Sequence, residues 1–481
     1  MTDLRRPKIA IVGGGLSGLA TAAHLHLADP TLRLSLFESN DRIGGVIQTE
    51  TIDSFVIDHG ADMFAAKPSA AIEFCQQIGV EDQLIQPQME GRGARIVRHG
   101  KLVPIPDGFV LMRATKTWPI LTTPLLSLKG KLKILTEQYK PNNVSDEDQS
   151  VANFVRHRMG NEVLDRLVGP LVAGIYTADI EKLSLLATMG PIASMVRTHG
   201  SLGKATTARR ITGEDSDERN NAGARYNQFR AFNNGMRQLI DSIENILPDG
   251  VIRTSSRIDA LERLTSSSRW RLRYSGNQDE FDHVVVATPA AIASSLLAPY
   301  ASAAASRLSE IETASTAIVI LGVKKSDVSR PVNTFGFVVP LIENRQILAG
   351  SFASNKFARR APEDHLLVRV FIGGSMQSHL LDHDDDQLIR IARTELAELI
   401  GLKGEPVLTK VVRWNGSMPQ YHVGHLDRVK EIEADVAKVR GLSLMTNSLN
   451  GVGIAPVIAS AKKTASLVRQ EVSQNTNHAD R

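Results

Sequence analysis

The hydrophobic pattern at the start of the chain alternates between short apolar runs and a helical repeat. Lys8 to Val12 is mostly apolar, three glycines follow, and Ser17 to Leu27 carries Ala and Leu at helical spacing. A second apolar run extends from Leu32 to Glu38. Two apolar runs separated by an amphipathic helix predict a βαβ unit with parallel strands.

A similar pattern returns after residue 238. A helical repeat begins near Leu239, polar and apolar residues alternate from Trp270 to Tyr274, and Asp282 to Ala287 predicts a buried strand. The first lobe is therefore expected to be interrupted and resumed. Val284 to Ser306 carries no charge, but Pro289 and Pro299 favour a strand, a turn and a short helix over a membrane span.

The pattern between and after these pieces predicts two further regions. Lys101 to about Met195 is mainly helical with several prolines, whereas Gly200 to Arg225 is polar and predicts a mobile surface loop. Apolar runs typical of strands extend from Ala314 to Ile372. Asp384 to Asp386 precede an amphipathic repeat and are interpreted as the N-terminal cap of a helix, not as metal ligands.

Composition narrows the class of protein. The chain has 481 residues, of which 42% are hydrophobic and 22% charged, so we expect a globular protein of at least two lobes. A net charge of +4 without basic runs beside aromatic residues argues against nucleic acid as a partner. The lone Cys75 excludes a disulfide framework, a thiolate metal site and a redox cysteine pair. The apolar run from Ile9 leaves no room for a signal peptide, so a cytoplasmic location is expected.

The glycines after the first strand are the first candidate for chemistry. Gly13-Gly14-Gly15-Leu16-Ser17-Gly18 fits the pattern G-x-G-x-x-G, which lets the backbone approach a pyrophosphate at the N-terminus of a helix. Glu38 ends the second strand, where a carboxylate can hold ribose hydroxyls. The pattern predicts a dinucleotide site but does not by itself distinguish NAD from FAD.

The residues after Glu38 distinguish the two nucleotides through a resemblance. Glu38 to Gly45 reads E-S-N-D-R-I-G-G and resembles the E-x-x-x-R-x-G-G extension of the superfamily of amine oxidases and porphyrinogen oxidases. The resemblance implies FAD, and the lack of a second complete glycine motif argues against a separate nicotinamide site. No cysteine lies near residues 450–454, the C-terminal segment expected to lie over the flavin ring, so FAD is expected to be held non-covalently.

Further segments resemble the protoporphyrinogen and coproporphyrinogen oxidase family through most of the chain. The most specific is Arg413 to His425, which resembles the pattern W-x-x-x-x-P-Q-Y-x-x-G-H. Near the C-terminus, Asn450 to Ile454 resembles the segment that closes over the isoalloxazine ring. The chain departs from the family at Met445-Thr446, where Ala-Gly is usual, and at Pro456, where an acidic residue is usual.

The family resemblance implies an α/β fold with an α+β second lobe. It consists of a discontinuous Rossmann-like FAD-binding domain of the glutathione-reductase and amine-oxidase type, a sheet-based substrate domain and a helical insertion. We expect the FAD-binding domain at 1–85, 228–297 and 411–481, the substrate domain at 86–100 and 298–410, and the insertion at 101–227.

The resemblance also implies the residues that contact the cofactor. They belong to the glycine motif, the two segments that follow it, and three later parts of the chain. The expected cofactor contacts are Gly13, Gly14, Gly15, Leu16, Ser17, Gly18, Glu38, Ser39, Arg42, Gly45, Val46, His59, Gly60, Ala61, Ile258, Trp414, Val452, Gly453 and Ile454.

A porphyrinogen is a flexible apolar macrocycle with pyrrole N–H donors and peripheral propionates, so its site needs apolar walls, an acceptor and cations. By resemblance, Leu171, Val338 and Phe371 grip the ring, Phe335 flanks it, the Gly174 carbonyl accepts pyrrole N–H groups and Arg95 binds a propionate. Hydride passes from a methylene carbon to flavin, in three rounds that remove six electrons. No motif demands an acid or base, so no catalytic residue is assigned.

Alternatives and partners remain open from the sequence alone. A flavin amine oxidase or a carotenoid-type desaturase shares the first motifs, and a flavin-binding membrane scaffold or a haem-pathway partner without turnover is a different class. Dioxygen is the expected acceptor and no metal is expected. The apolar stretch from Phe109 to Leu128 holds Trp118 and is flanked by lysines, which allows contact with a membrane surface. Contacts with haem-pathway enzymes and a homodimer are further hypotheses, and the pattern does not select coproporphyrinogen over protoporphyrinogen.

Overall fold

The computed structural model describes residues 6–91, 93–110, 112–141, 147–213, 229–264, 269–330 and 332–479. In these ranges the strands are β1 Lys8–Val12, β2 Arg33–Phe37, β3 Thr49–Ile52, β4 Phe55–Asp58, β5 Phe64–Ala65, β6 Leu84–Ile85, β7 Ala94–Arg98, β8 Lys101–Pro104, β9 Phe109–Val110, β10 Arg113–Ala114, β11 Phe229–Phe232, β12 Ile252–Arg253, β13 Ile258–Arg263, β14 Trp270–Tyr274, β15 Asn277–Phe281, β16 His283–Val286, β17 Thr313–Lys324, β18 Gly336–Val338, β19 Ala349–Phe352, β20 His365–Gly373, β21 Leu408–Pro419 and β22 Leu442–Leu444.

The helices of the same ranges alternate with the strands in the first lobe and cluster in the middle of the chain. They are α1 Leu16–Ala28, α2 Ala70–Gln77, α3 Thr117–Thr122, α4 Leu128–Leu135, α5 Val151–Met159, α6 Asn161–Val163, α7 Gly169–Tyr176, α8 Leu185–His199, α9 Leu202–Ile211, α10 Arg237–Ile246, α11 Ala290–Leu297, α12 Ser302–Ser309, α13 Ala353–Lys356, α14 Asp385–Ile400, α15 His425–Val436 and α16 Ile454–Ala479. A π-helical segment, Leu164–Val168, joins α6 to α7.

The first lobe is built on a five-stranded parallel sheet with the strand order β12-β2-β1-β16-β22. The predicted βαβ unit is confirmed, since β1 and β2 are parallel and joined by α1. The predicted return of the chain is confirmed too, because β16 pairs with β1 on its other side. Apolar side chains on both faces of β1 are buried, which is the pattern of a central parallel strand.

The second lobe is a seven-stranded sheet with the order β21-β17-β20-β19-β18-β7-β8. One face of it packs against α14 through Val319, Val368 and Val370. Helix α14 begins at the predicted place: Asp384 accepts a hydrogen bond from the Gln387 N–H at 2.8 Å, and the two side chains form a capping box. The interpretation of the three aspartates as a helix cap is therefore confirmed.

The helical unit differs from the expectation at both of its ends. Lys101–Pro104 pairs with β7 as the edge strand of the seven-stranded sheet, so the helices begin only at Thr117. The predicted surface loop from Gly200 to Arg225 is wrong over Leu202–Ile211, which forms α9, while residues 214–228 lie outside the described part of the chain. Outside the helical unit, Val284 to Ser306 begins with the expected strand, but two helices follow it instead of one: α11 and the start of α12.

The N-terminus of α9 is stabilised from a distant part of the chain. The carboxylate of Glu137 accepts hydrogen bonds from the Leu202 and Gly203 N–H groups at 3.1 and 2.8 Å, and it forms a buried ion pair with Arg158. Ser201 adds a local cap, because its hydroxyl accepts a hydrogen bond from the Lys204 N–H at 3.1 Å, and the polar character of the stretch obscured this signal. No helix in the described ranges combines the length and the apolar character needed to cross a bilayer.

Candidate active site

The turn between β1 and α1 leaves space beside one glycine only. A Cβ on Gly13, Gly14 or Gly18 would lie 2.6, 2.8 or 1.9 Å from other atoms of the chain, so packing alone excludes larger residues there. A Cβ on Gly15 would have no atom within 4 Å, and its φ of −73° suits any residue. Because Gly15 precedes the N-terminus of α1, this open space fits the pyrophosphate of a dinucleotide.

Glu38 lies next to this turn and is held in one orientation. Its carboxylate accepts hydrogen bonds from the Gly14 N–H at 2.7 Å and the Asn40 N–H at 2.8 Å. The Ser256 N–H donates to the Glu38 carbonyl at 2.7 Å, which brings the start of β13, with Ile258, alongside the same segment. Two of the predicted cofactor contacts, Glu38 and Ile258, therefore lie on adjoining segments.

The second pair of glycines continues the same surface. The Gly44 N–H donates to the Gly14 carbonyl at 2.8 Å, and a Cβ on Gly45 would lie 3.4 Å from the Cα of Gly15. The Arg42 guanidinium donates to the Gly45 carbonyl at 3.0 Å. The two glycine segments thus form one wall of backbone, which is what a phosphate chain requires for close approach.

The next predicted cofactor contacts along the chain are His59 and Gly60, which lie against the second lobe. A Cβ on Gly60 would lie 2.2 Å from the Val46 carbonyl oxygen, and the Trp414 indole donates to the His59 carbonyl at 2.8 Å. Burial lowers the pKa of His59, although Glu50, 3.2 Å from its Nε2, acts in the opposite direction. The hydrogen bond from Trp414 joins the predicted cofactor segment to β21 of the substrate sheet.

A buried cluster of charges holds the loop that follows His59. Asp62 lies 2.6 Å from the Lys356 ammonium and 3.1 Å from the Arg369 guanidinium, and Arg369 also donates to the Gly60 carbonyl. Burial alone would raise the pKa of Asp62, but the two cations hold it far below its ordinary range. The carboxylate is therefore charged and fixes the loop after His59 to the seven-stranded sheet.

The face of that sheet opposite α14 is apolar in a continuous row. Val338, Ala349 and Phe371 are register partners on three neighbouring strands, and Ile318 extends the row from Phe371 into β17. Register partners lie side by side on one face of a sheet. Two of the predicted substrate contacts, Val338 and Phe371, are thus brought together.

Helix α7 faces this row. A Cβ on Gly174 would lie 3.1 Å from Cγ1 of Val338, and Leu171 packs in the same apolar cluster as Val338. Gly174 is exposed and stands in the last turn of α7, where carbonyl groups have no partner within the helix. No donor among the described residues reaches its carbonyl oxygen, which agrees with a predicted role as an acceptor.

A cavity of about 240 Å³ opens beside Gly174. Its walls include Pro170 and Ala173 of α7 and Leu348 of the sheet, whereas Asp165 and Glu181 lie at its rim. Its volume is below the roughly 300–1,000 Å³ usual for small-molecule sites, and none of Leu171, Val338 and Phe371 lines it. We call the junction of α7 and the apolar row, which this cavity adjoins at Gly174, the slot.

Arg95 and Phe335 form a separate group at the start of β7 and β18. Arg95 pairs with Phe337, which places it on the α14 side, whereas its neighbour Ile96 faces the helical unit. Its guanidinium is half-buried, and no carboxylate of the described residues lies within ion-pair distance. Phe335 is buried beside Gly93 at the same end, where its N–H donates to the Gly93 carbonyl at 3.1 Å.

The C-terminal cofactor segment leads into α16. Val452 and Gly453 precede the helix, and Ile454 begins it, packed in the core that also holds α1. The N-terminus of α16 therefore belongs to the first lobe, as the resemblance implies. The predicted cofactor segments at Gly15, Gly45 and Gly60 thus follow one another, and the last of them is joined by the Trp414–His59 hydrogen bond to the edge strand of the substrate sheet.

Two structural features were missed by the sequence analysis. The first is the Asp62 cluster, although Arg369 in the apolar run from Leu366 to Ile372 was a signal, because a charge inside a buried strand needs a partner. The second is the hydrogen bond from Gln420 to the Tyr176 carbonyl of α7, which no spacing in the chain could indicate.

Comparison with known proteins gives one family for nearly the whole chain. Residues 16–469 match the family described as flavin containing amine oxidoreductase. A coproporphyrinogen III oxidase from Staphylococcus aureus is 31% identical over 477 residues, covering 96% of this chain and 99% of that protein. Protoporphyrinogen oxidase 2 of Arabidopsis thaliana is 26% identical, covering 96% of this chain and 93% of that protein.

A solved structure of a bacterial protein agrees with these matches. The protein from Exiguobacterium sp. 255-15 is 28% identical to this chain and superposes on it with a TM-score of 0.85. The match covers 97% of this chain and 99% of that one, so both lobes and the helical unit are shared.

Proposed function

The chain belongs to the flavin containing amine oxidoreductases and, within them, to the porphyrinogen oxidases, and we propose that it oxidises coproporphyrinogen III to coproporphyrin III with dioxygen as the electron acceptor. FAD is its cofactor. The Staphylococcus aureus relative named for coproporphyrinogen is more similar to this chain than the Arabidopsis relative named for protoporphyrinogen, which supports the choice of substrate.

One observation supports the proposal most directly. Gly174, whose carbonyl has no donor among the described residues, contacts Val338 at one end of the apolar row, and Phe371 further along that row packs in one cluster with Trp414. A flat apolar wall that ends beside a free acceptor suits a macrocycle that carries N–H donors at its centre.

Bound FAD supplies the hydride acceptor, and the residues of the chain supply position. The apolar row and Leu171 hold the macrocycle and exclude water from the reacting carbon. The Gly174 carbonyl accepts a hydrogen bond from pyrrole N–H groups, at the negative end of α7 where partial negative charge favours a donor. Each round also releases one proton from the substrate, through a pyrrole N–H, and this proton passes to solvent; the chain contributes orientation, and no acid or base is assigned.

The charges around the slot orient the propionates. Asp165, Asp179 and Glu181 line the cavity beside Gly174; Glu181 is paired with Arg156, so Asp165 and Asp179 carry the negative charge that would repel carboxylates of the substrate. We propose that the propionates point away from this rim, and that one of them reaches Arg95 around the N-terminal end of β7 and β18.

The direct test is aerobic turnover of both porphyrinogens by the purified chain. We expect a flavin absorption spectrum, growth of porphyrin fluorescence, and a higher kcat/KM for coproporphyrinogen III than for protoporphyrinogen IX. An anaerobic reaction is the control for dioxygen. Amine oxidation without porphyrin formation would instead support the amine oxidase alternative, and bound flavin without any turnover would support a scaffold.

Arg95→Ala is expected to raise KM for coproporphyrinogen III and to leave kcat nearly unchanged. A charge-assisted hydrogen bond to a propionate far from the reacting carbon contributes about 1.5–3 kcal/mol to binding of both the ground and the transition state. Steady-state kinetics measure the effect. Lys101→Ala is a matched control, since Lys101 is an exposed cation on the neighbouring strand. Equal KM values for wild type and Arg95→Ala would remove Arg95 from the site.

We also propose that the helical unit touches a membrane surface. Trp118 is 72% exposed on α3, and Leu128 and Leu132 are 77% and 59% exposed one turn apart on α4. Lys129, Lys131 and Lys133 alternate with these leucines. Exposed apolar residues beside lysines are typical of a surface that inserts between anionic head groups.

Sedimentation with lipid vesicles tests this surface. The chain should bind vesicles that contain phosphatidylserine, and Trp118→Ser or Leu128→Ser should each weaken binding about fivefold, the effect of losing roughly 1 kcal/mol of apolar burial. Leu467→Ser is the control, because Leu467 is 54% exposed on α16 in the other lobe. Equal sedimentation of all four proteins would exclude this surface as the point of contact.

A further inference from the structure

The segment after β21 contacts both sides of the slot through two consecutive residues. Gln420 and Tyr421 are each 3% exposed, and both side chains have hydrogen-bond partners in other elements. Side chains of consecutive residues in an extended segment point in opposite directions. The partners of the two residues accordingly lie in different parts of the site.

Gln420 is bound to the substrate side. Its Nε2 donates to the Tyr176 carbonyl at the end of α7, at 3.2 Å, and its Oε1 accepts from the Ser375 hydroxyl at 3.1 Å. Ser375 in turn donates its N–H to the Thr177 carbonyl at 2.9 Å. Gln420 therefore fixes the C-terminal end of the helix that carries Leu171 and Gly174.

Tyr421 is bound to the flavin side. Its hydroxyl accepts a hydrogen bond from the Gly451 N–H at 2.8 Å and donates to the Asn447 carbonyl. Its ring stacks on His425 with centroids 4.0 Å apart, and Nε2 of His425 lies 2.9 Å from the Leu449 carbonyl. These contacts fix the loop that leads directly into Val452, Gly453 and the N-terminus of α16.

We propose that Gln420 and Tyr421 are a pair of positioning residues, in which Gln420 sets the substrate helix and Tyr421 sets the flavin loop. This inference rests on the proposed function of the site. Because both residues belong to one rigid backbone segment, they also set the distance between the two walls. That segment is itself anchored to the helical unit, since the Ser184 N–H donates to the Tyr421 carbonyl at 2.7 Å.

The test compares two variants that keep the shape of the side chain. Tyr421→Phe removes only the hydroxyl and with it two hydrogen bonds, and we expect FAD to dissociate with a Kd about three- to thirtyfold higher, since each neutral hydrogen bond contributes about 1 kcal/mol. The flavin absorption band and midpoint potential should shift, while KM for the porphyrinogen stays unchanged. Gln420→Met keeps the length of the side chain and removes its hydrogen bonds without adding a charge, and we expect the opposite result: a KM for the porphyrinogen about three- to thirtyfold higher, with unchanged FAD affinity and flavin spectrum.

Tyr300→Phe is the control for a purely structural hydroxyl, because the Tyr300 hydroxyl donates to the Leu261 carbonyl within the first lobe. The inference is overturned if the two variants alter the same parameters, or if Tyr421→Phe lowers only the unfolding temperature, as Tyr300→Phe does. Absence of porphyrinogen turnover in the wild type would reject the proposed function instead. The flavin measurements on Tyr421→Phe need no substrate, so the two failures are distinguishable.

Discussion

Gly15→Val should give a chain that folds but is purified without FAD. Gly15 has an ordinary backbone conformation, and a Cβ added to it would have no atom within 4 Å, so the protein itself tolerates a side chain there. The isopropyl group would occupy the space expected for the pyrophosphate at the N-terminus of α1. Loss of that contact should cost about 3 kcal/mol or more, which is a fall in FAD affinity of over about a hundredfold.

The measurement is the ratio of flavin to protein absorbance, followed by titration of the apoprotein with FAD. Gly190→Val is the matched control, since a Cβ on Gly190 in α8 also has no atom within 4 Å but lies in the helical unit. Full flavin content in Gly15→Val would show that the phosphate lies elsewhere. A fall in thermal stability without added FAD would show that the space serves packing.

Asp62→Ala is expected to lower the free energy of unfolding by about 3–5 kcal/mol, because it leaves Lys356 and Arg369 buried without their anion. Asp385→Ala is the control: Asp385 pairs with Arg413 on the surface, and such pairs contribute about 1 kcal/mol or less. Urea unfolding at neutral pH measures both. A change at Asp62 no larger than that at Asp385 would contradict the assignment of a charged, paired carboxylate.

The same carboxylate gives this prediction a pH dependence. The pKa of Asp62 is depressed in the folded chain, so its contribution is complete above the pKa of an unfolded aspartate, about 3.9, and is lost as the pH falls below that value. The difference between wild type and Asp62→Ala should therefore be constant from pH 7 to about pH 5. It should narrow only in stronger acid.

Local sequence patterns predicted those helices and strands whose formation depends on neighbouring residues. The apolar runs of β1, β2 and β16 and the aspartates before α14 were sufficient, because strand burial and helix capping depend on neighbouring residues. The helix α9 was missed although Ser201 caps it locally, because its sequence is polar and much of the stabilisation of its N-terminus comes from Glu137 in another element. Local capping and tertiary contacts together thus overrode a polar pattern.

In the candidate site, too, some residues were predictable from local sequence and others depend on tertiary contacts. The glycine motif and Glu38 were recognisable, because phosphate and ribose contacts need particular residues at fixed spacing. The sequence did not indicate that Arg95 lies on the α14 side of the sheet. The alternation of side chains along β7 shows which residues share a face, but only the pairing with β18 shows which face that is. The bond from Gln420 to the Tyr176 carbonyl of α7 also depends on tertiary placement, because it joins residues 244 positions apart.

The order of strands in the parallel sheet has a consequence for synthesis on the ribosome. The sheet begins with β1, yet its last edge strand, β22, and the helix α16 that covers α1 come from the final part of the chain. Until Leu444 has left the ribosome, the nascent chain lacks β22 and α16. The apolar side of this lobe is then exposed and needs protection from aggregation. A premature stop codon anywhere before β22 should for the same reason abolish the whole nucleotide-binding lobe and leave no partially active fragment.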